Sequence, residues 1–217
     1  MAKLKATISI SLDGFGAGPD QSPEQALGAG GERLHDWAVS LAAFDEMHGD
    51  ANAEGDENAS SDVMRAWWDN VGAGIMGRNM FGGGPGPWQG DWRGWWGDDP
   101  PYHVPVFVLT HHRREPLEME GGTTFHFVTG GIEEALERAT AAAEGKDVWL
   151  MGGASAIRQY LVAGLLDEIE ISLTPVLLGA GESLFAGLDV SGIELEQIRS
   201  IEAPGVTHIK YRVKRDA

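Results

Sequence analysis

The segment from Val148 to Leu161 constrains the fold more than any other part of the chain. The apolar run Val148–Met151 ends at the adjacent residues Gly152 and Gly153, and a helical pattern begins directly after them. This order is typical of a buried strand that leads into a helix. Glycines let a ligand approach the main chain, and the free N–H groups of a helix start favour an anion. A tight strand–helix turn explains this single segment equally well.

Composition excludes several classes of function. The 217 residues include 16 Lys and Arg against 33 Asp and Glu, a formal charge of −17, so we expect neither nucleic acid nor an anionic membrane as a partner. There are no cysteines, which excludes disulfides and thiolate metal sites. No apolar run approaches the roughly 20 residues needed to span a bilayer, and the start lacks a signal-peptide pattern. These features predict a soluble, cytoplasmic protein.

Strand and helix patterns alternate up to about residue 165, and the chain then ends in an antiparallel hairpin. The pattern predicts strands over 3–11, 73–76, 105–110, 123–129, 147–151 and 168–174, and helices over 32–44, 62–70, 131–144 and 154–163. We expect Ser60 or Ser61 to cap the second helix, and Pro204-Gly205 to join closing strands over 193–201 and 206–213. The result is an α/β sandwich in one domain over residues 1–217, with a mixed central sheet that is antiparallel at its C-terminal edge.

Two further strand ends carry groups suited to phosphate. Gly77 and Arg78 follow the buried run Ala73–Met76, and a short helix is expected after them. The strand over 105–110 ends in Thr110 and the basic run 111–114, for which a solvated turn is the alternative. Because ligands of open α/β sheets lie at the carboxyl ends of strands, three such ends suit one extended ligand with several phosphates, such as a dinucleotide.

The ordered set of motifs resembles a known superfamily. Met76-Gly77-Arg78, Leu109-Thr110-His111 and Met151-Gly152-Gly153-Ala154 are similar to the cofactor segments of the dihydrofolate reductase superfamily. Ser9–Gly14 and the run Thr174–Gly181 resemble its branch that contains the reductase half of the riboflavin-pathway bifunctional deaminase–reductase.

The resemblance implies a dihydrofolate reductase-like three-layer sandwich, a homodimer and NADPH as the cofactor. It also implies a cis peptide bond between Gly152 and Gly153. The cofactor-binding residues that it implies are Gly77, Arg78, Asn79, Thr110, His111, His112, Arg113, Gly152, Gly153, Ala154, Ser155 and Ala156.

Two departures from the dihydrofolate reductase pattern concern the chemistry. Met80 stands where a threonine is usual, and no acidic residue on the early helix has the spacing that grips a pterin. Asp13 is the candidate for a catalytic carboxylate that orients the substrate or relays a proton, and an ordinary turn aspartate before Gly14 is the alternative.

The resemblance implies hydride transfer from NADPH to a small heterocyclic substrate, as in 5-amino-6-(5-phosphoribosylamino)uracil reductase of riboflavin biosynthesis. A reductase of a different, uncharged substrate is a competitor. A non-catalytic NADP(H)-binding protein of the same fold and a pterin reductase of the dihydrofolate reductase type are also compatible with the motifs.

A tryptophan-rich segment and several acidic and histidine pairs remain. Trp88, Trp92, Trp95 and Trp96 allow a stacking wall for a heterocycle, a lid packed on the core or a dimer contact, and we favour structure or interface. His111-His112 and Asp98-Asp99 lack the spacing of helical metal ligands, so no metal site is predicted.

Overall fold

The structure is a computed structural model that describes residues 2–50, 52–189 and 191–214. In these ranges nine strands form one central sheet, and two short strands pair beside it. The strands are β1 (Leu4–Ser11), β2 (Phe15–Ala17), β3 (Val71–Gly77), β4 (Pro105–Leu109), β5 (Leu117–Glu118), β6 (Thr124–Val128), β7 (Asp147–Gly152), β8 (Glu168–Thr174), β9 (Glu182–Ser183), β10 (Glu194–Ala203) and β11 (Val206–Lys214).

Helices cover both faces of the central sheet. They are α1 (Asp36–Val39), α2 (Ala42–Met47), α3 (Ala59–Trp68), α4 (Arg78–Phe81), α5 (Gly131–Ala142) and α6 (Ala154–Val162), with 3-10 turns at Gly31–His35 and Glu120–Gly122. The side chains of β7 pack on both faces of the sheet, which shows the three layers. Val148 and Leu150 pack into the cluster that includes α5 and α6, whereas Trp149 and Met151 pack into a second cluster on the other face. The predicted sandwich is confirmed.

The central sheet is mixed, as the sequence predicts. Its order is β10-β11-β8-β1-β7-β3-β4-β6-β5, and the six strands from β8 to β6 run parallel. β11 and β10 are antiparallel at one edge and β5 at the other. The two-residue turn at Pro204 and Gly205 makes the closing hairpin, and the φ of +74° at Gly205 is the reason that a glycine suits this position.

The single helix predicted over 32–44 is wrong. The segment is a 3-10 turn, then α1, and then a break at Leu41 before α2 begins. At this break the N–H of Asp56 donates to the carbonyl of Ser40, and the N–H of Ala42 donates to the carbonyl of Asp56. Those backbone groups would pair within a continuous helix, so a distant loop replaces the helical bonds.

The predicted cap of the next helix is also displaced. α3 begins at Ala59, and the N-cap is Asn58, whose Oδ1 accepts a hydrogen bond from the N–H of Ser60 at 2.8 Å. Ser61 completes the cap because its Oγ accepts from the N–H of Asn58 at 3.2 Å. The helix ends at Trp68 rather than at Asn70, which adopts a left-handed φ of +61°.

β8 is buried on both faces, although its sequence alternates between apolar and polar residues. Glu168 pairs with Lys3 at 2.5 Å and with Lys210 at 2.8 Å, and Glu170 pairs with Arg199 at 2.5 Å. The polar face of the strand is therefore buried against charged partners rather than against water.

The described part of the chain holds neither a membrane-spanning helix nor a metal-binding cluster. Among residues 2–50, 52–189 and 191–214, no helix is long and apolar enough to cross a membrane. The same ranges contain no group of three or more His, Asp or Glu side chains arranged to hold a metal ion.

Candidate functional site

Three of the strand ends that the sequence identified lie side by side at one edge of the sheet. β7, β3 and β4 are consecutive neighbours, and the register of β3 and β4 pairs Gly77 with Leu109. A Cβ atom added to Gly77 would lie 3.5 Å from the Cβ of Ala156 and 3.6 Å from the nitrogen of Gly153. The fold thus brings together the glycine segments that are far apart in sequence.

The turn from β7 into α6 presents main-chain N–H groups. The peptide bond between Gly152 and Gly153 is cis, as the resemblance implies, and Gly152 has a φ of +117° that favours glycine. The N–H of Ile157 donates to the carbonyl of Gly153 at 3.2 Å, so the amides of residues 154–156 precede the first helical hydrogen bond. Within the described part of the chain, no side chain caps this helix start. These amides suit an anion.

The turn from β3 into α4 is shorter. Gly77 is the N-cap of this four-residue helix, and Asn79 is exposed. A Cβ atom added to Gly152 would lie 3.7 Å from the Sδ of Met80. The residue that replaces the usual threonine therefore packs against the glycine pair and offers no hydroxyl to a phosphate.

The Arg78 side chain is largely committed to a neighbouring loop. Its guanidinium donates to the carbonyl oxygens of Gly82 at 3.1 Å, Gly83 at 3.2 Å and Gly84 at 2.9 Å. It also lies over the ring of Trp88, with its Cζ 3.1 Å from the ring centre. Its Nη1 is buried and has no partner among the described residues, so it is the one guanidinium nitrogen of Arg78 without a hydrogen bond to them.

A second arginine, which the resemblance did not assign to the cofactor, lies beside the first. The Cζ of Arg114 is 4.8 Å from the ring centre of Trp88, and its Nη1 is likewise buried without a partner in the described ranges. Burial lowers the pKa of both guanidinium groups, and the charge of Arg114 lowers the pKa of Arg78 further. Two adjacent cations with unpaired N–H groups fit an anion that carries more than one oxygen. The sequence did contain an indication of this role, because Arg114 ends the basic run 111–114.

In the segment after β4, some residues form hydrogen bonds within the protein and others are exposed. The Thr110 hydroxyl accepts from the N–H of His112 at 3.2 Å, and the His112 carbonyl accepts from the Nε1 of Trp88 at 2.8 Å. His111 and Arg113 are exposed and make no side-chain hydrogen bond or ion pair with the described residues. Thr110 and His112 therefore shape the turn, whereas His111 and Arg113 are available to a ligand.

Asp13 lies at the end of β1, at the same edge of the sheet. Its Oδ1 accepts from the Oγ of Ser11 at 2.5 Å and from the N–H of Leu178 at 3.2 Å, and its Oδ2 accepts from the N–H of Gly179 at 2.7 Å. These bonds, the one from Ser11 above all, hold the pKa of Asp13 below its usual value. An anion at neutral pH orients a substrate better than it donates a proton. The catalytic role stays a prediction.

The tryptophan-rich segment packs on the core. Trp88, Trp92 and Trp96 lie against the buried cluster on the same face as Trp149. The Nε1 of Trp92 donates to the carbonyl of Phe81 at 3.0 Å. Of the three roles that the sequence left open, the structure supports a lid that is packed on the core.

Solved structures agree with this architecture. A protein from Shewanella sp. PV-4, provisionally assigned to riboflavin biosynthesis, is 24% identical with a TM-score of 0.64, over 99% of this chain and 100% of that one. Dihydrofolate reductase from Enterococcus faecalis, solved in complex with NADP(H), is 14% identical with a TM-score of 0.52, over 97% and 96% of the two chains. At such identities the likeness shows the fold alone, and the dihydrofolate reductase-like fold is confirmed.

Sequence comparison identifies the family. The curated protein YyaP of Bacillus subtilis (strain 168), itself uncharacterized, is 41% identical over 121 residues, which are 52% of this chain. The match spans 62% of YyaP, less than two thirds of its length. The sequence model of the RibD C-terminal domain matches residues 2–207. The chain belongs to the RibD C-terminal domain family.

Proposed function

We propose that the protein is an NADPH-dependent reductase that transfers hydride to a small heterocyclic substrate. The observation that carries this proposal is the pair of guanidinium groups beside Trp88, at the edge where the glycine turns meet. Each has a buried nitrogen that finds no partner among the described residues. A dinucleotide that carries an additional phosphate matches both features. Family membership supports the same class of oxidoreductase.

The residues present fit such a cofactor. The main-chain amides at the start of α6 would hold the pyrophosphate, and Gly77 leaves room for it to approach. Arg78, Arg114 and the exposed Arg113 would hold the additional phosphate. The nicotinamide supplies the hydride when it is bound, and the protein supplies position and polarity.

Asp13 would act on the substrate. Its carboxylate is fixed by three hydrogen bonds at the end of β1, which is the strand next to β7. A fixed anion there would accept a hydrogen bond from an N–H or O–H group of a heterocycle and orient its reducible carbon. The substrate of the riboflavin-pathway reductase, 5-amino-6-(5-phosphoribosylamino)uracil, is the first candidate. A cytoplasmic location and a homodimer stay predictions.

The test is consumption of NADPH, followed by nicotinamide absorbance, with three substrates in parallel. They are the ribosylaminouracil phosphate, its dephosphorylated form and dihydrofolate. Turnover with the first supports the riboflavin-type reaction, whereas turnover with the second alone indicates an uncharged substrate. Turnover with dihydrofolate alone would identify a pterin reductase. NADPH binding without turnover across a wider heterocycle panel would contradict an enzyme and leave a binding protein.

A further inference from the structure

A cavity lies at the opposite end of the sheet from the proposed cofactor edge. Its volume is about 340 Å³, and its wall includes Val71, the first residue of β3, and Val104, which precedes β4. Since a strand rises about 3.3 Å per residue, the length of β3 from Val71 to Gly77 separates the two ends by roughly 20 Å. None of the residues that line the cavity belongs to the predicted cofactor set. A molecule bound there is too far away to receive a hydride.

The walls of the cavity are aromatic and apolar. Trp68 and Tyr102 both line it, with ring centroids 6.3 Å apart and planes inclined at 42°. Met47 adds a thioether from α2. Inclined aromatic rings and a polarisable sulfur favour a planar aromatic guest, and the volume lies within the range of small-molecule pockets.

Two hydrogen-bond donors of these walls lack partners. Tyr102 is only 6% exposed, burial alone raises its pKa well above the usual value, and its hydroxyl makes no hydrogen bond with the described residues. The Nε1 of Trp68 is buried and also has no partner in those ranges. The Tyr102 hydroxyl oxygen keeps some accessible surface, so an acceptor on a bound molecule can reach it and replace water as its partner.

The rim of the cavity is acidic. Arg65 is the one arginine among the described residues that line it, and this side chain is already paired with Glu46 at 2.7 Å and with Glu57 at 2.6 Å. The three groups together carry one negative charge. His103, also on the rim, lies 3.8 Å from Asp99. The rim therefore repels anions, in contrast to the arginine pair at the other end of the sheet.

We propose that this cavity binds a planar heteroaromatic molecule that has no negative charge and carries a hydrogen-bond acceptor for the Tyr102 hydroxyl. The site is separate from the proposed cofactor edge and does not depend on reductase activity. The bound molecule would lie against the Trp68 and Tyr102 side chains that line the cavity, with its edge towards Met47.

The test compares two probes with the full chain in the absence of NADPH. 4-Quinolone is neutral and has a carbonyl acceptor, and its 2-carboxylate is the matched anion. Saturation-transfer NMR is expected to show binding of 4-quinolone, and titration is expected to give an affinity about tenfold or more above that of the carboxylate. Absence of quinolone binding, or equal affinity for the two probes, would overturn the proposal.

Two variants test whether 4-quinolone binds in this cavity. Tyr102→Phe removes only the hydroxyl and should weaken quinolone binding about tenfold, whereas the matched change Tyr211→Phe on β11 should leave it unaltered. Met47→Trp fills the cavity and should abolish binding, with circular dichroism as the check of its fold. If Met47→Trp does not fold, Tyr102→Phe decides alone. Unchanged affinity in Tyr102→Phe would contradict the proposal.

Discussion

His208 is a buried histidine held by two serine hydroxyls. It is 0% exposed, and its Nδ1 and Nε2 lie 2.9 Å from the Oγ atoms of Ser172 and Ser60, respectively. Burial, together with the charge of Arg199, lowers its pKa to about 4 from an ordinary value near 6.5. The unfolded chain therefore binds a proton at His208 more readily than the folded protein does. The contribution of His208 to the free energy of unfolding is fully present above the unfolded pKa, and it is lost as the pH falls from about 6.5 towards 4.

The expected loss from this one group is on the order of 3 kcal/mol across that window. Urea denaturation of the natural protein and of His208→Gln at a series of pH values measures it. The variant should be less stable at neutral pH and should lose less further stability on acidification. Parallel pH profiles for the two proteins would show that His208 does not carry this dependence.

Replacement of Asp13 is expected to affect turnover and NADPH binding differently. Asp13→Asn keeps the size of the side chain but removes the charge that orients the substrate, so turnover should fall by roughly a hundredfold while NADPH affinity stays nearly constant. Asp62→Asn, at an exposed carboxylate in the first turn of α3, is the control and should leave turnover and NADPH affinity unchanged. Equal losses of turnover and of NADPH affinity would remove Asp13 from the mechanism. The assay requires a substrate identified by the parallel screen.

For single residues, the sequence predicted the place in the fold better than the contacts of the side chain. It placed Arg78 at the correct strand end, yet the carbonyl oxygens of Gly82 to Gly84 and the ring of Trp88 occupy most of its guanidinium. Arg114 was part of a recognised basic run, and its neighbour Trp88 is 26 residues earlier in the chain. A contact of that kind depends on how a long loop folds back, which residue patterns do not report.

Among the elements, α3 depends on a cap that the sequence placed two or three residues too late. Asn58→Ala removes the Oδ1 that accepts from the N–H of Ser60, and it should destabilise the protein by about 1 kcal/mol. Asn52→Ala, at an exposed loop position, is the matched control and should leave the urea midpoint unchanged. Equal midpoints for both variants would mean that the cap contributes nothing to stability.

Buried strands were predicted well because they are short apolar runs that end at glycine or polar residues. β7 and β3 deviate from their predicted ranges by no more than two residues at either end. The early helix failed for a different reason. Its apolar pattern is helical, but Leu41 is extended and forms a bridge with Asp56, a tertiary contact that overrides local propensity.

At the level of the whole molecule, β10 is one of the two edge strands of the central sheet. Leu195 and Ile198 on this strand are 38% and 43% exposed, and the outer backbone of an edge strand invites pairing with another chain. If the expected homodimer forms through this edge, Ile198→Lys should convert it to a monomer. Val39→Lys, at a 55% exposed position on α1, is the control and should not. Light scattering after size exclusion gives the masses, and a monomeric natural protein would contradict the expectation.

The mixed sheet and its antiparallel edge followed from the order of patterns along the chain, since alternating strands and helices build a parallel sheet and a Pro-Gly turn closes a hairpin. The burial of the polar face of β8 could not be predicted from the order of these patterns. Its alternating sequence is typical of a half-exposed strand, and only the folded chain brings Lys3, Lys210 and Arg199 to its carboxylates.

The most direct test of the proposed cofactor edge is titration with NADPH and NADH, followed by energy transfer from tryptophan to the nicotinamide. The natural protein should bind NADPH at least about tenfold more tightly than NADH. Arg114→Gln should remove most of that difference by weakening NADPH alone, and Arg138→Gln on α5 should leave it intact. Equal affinities for the two dinucleotides would contradict the assignment of the arginine pair to the additional phosphate. Binding of neither would contradict the reductase.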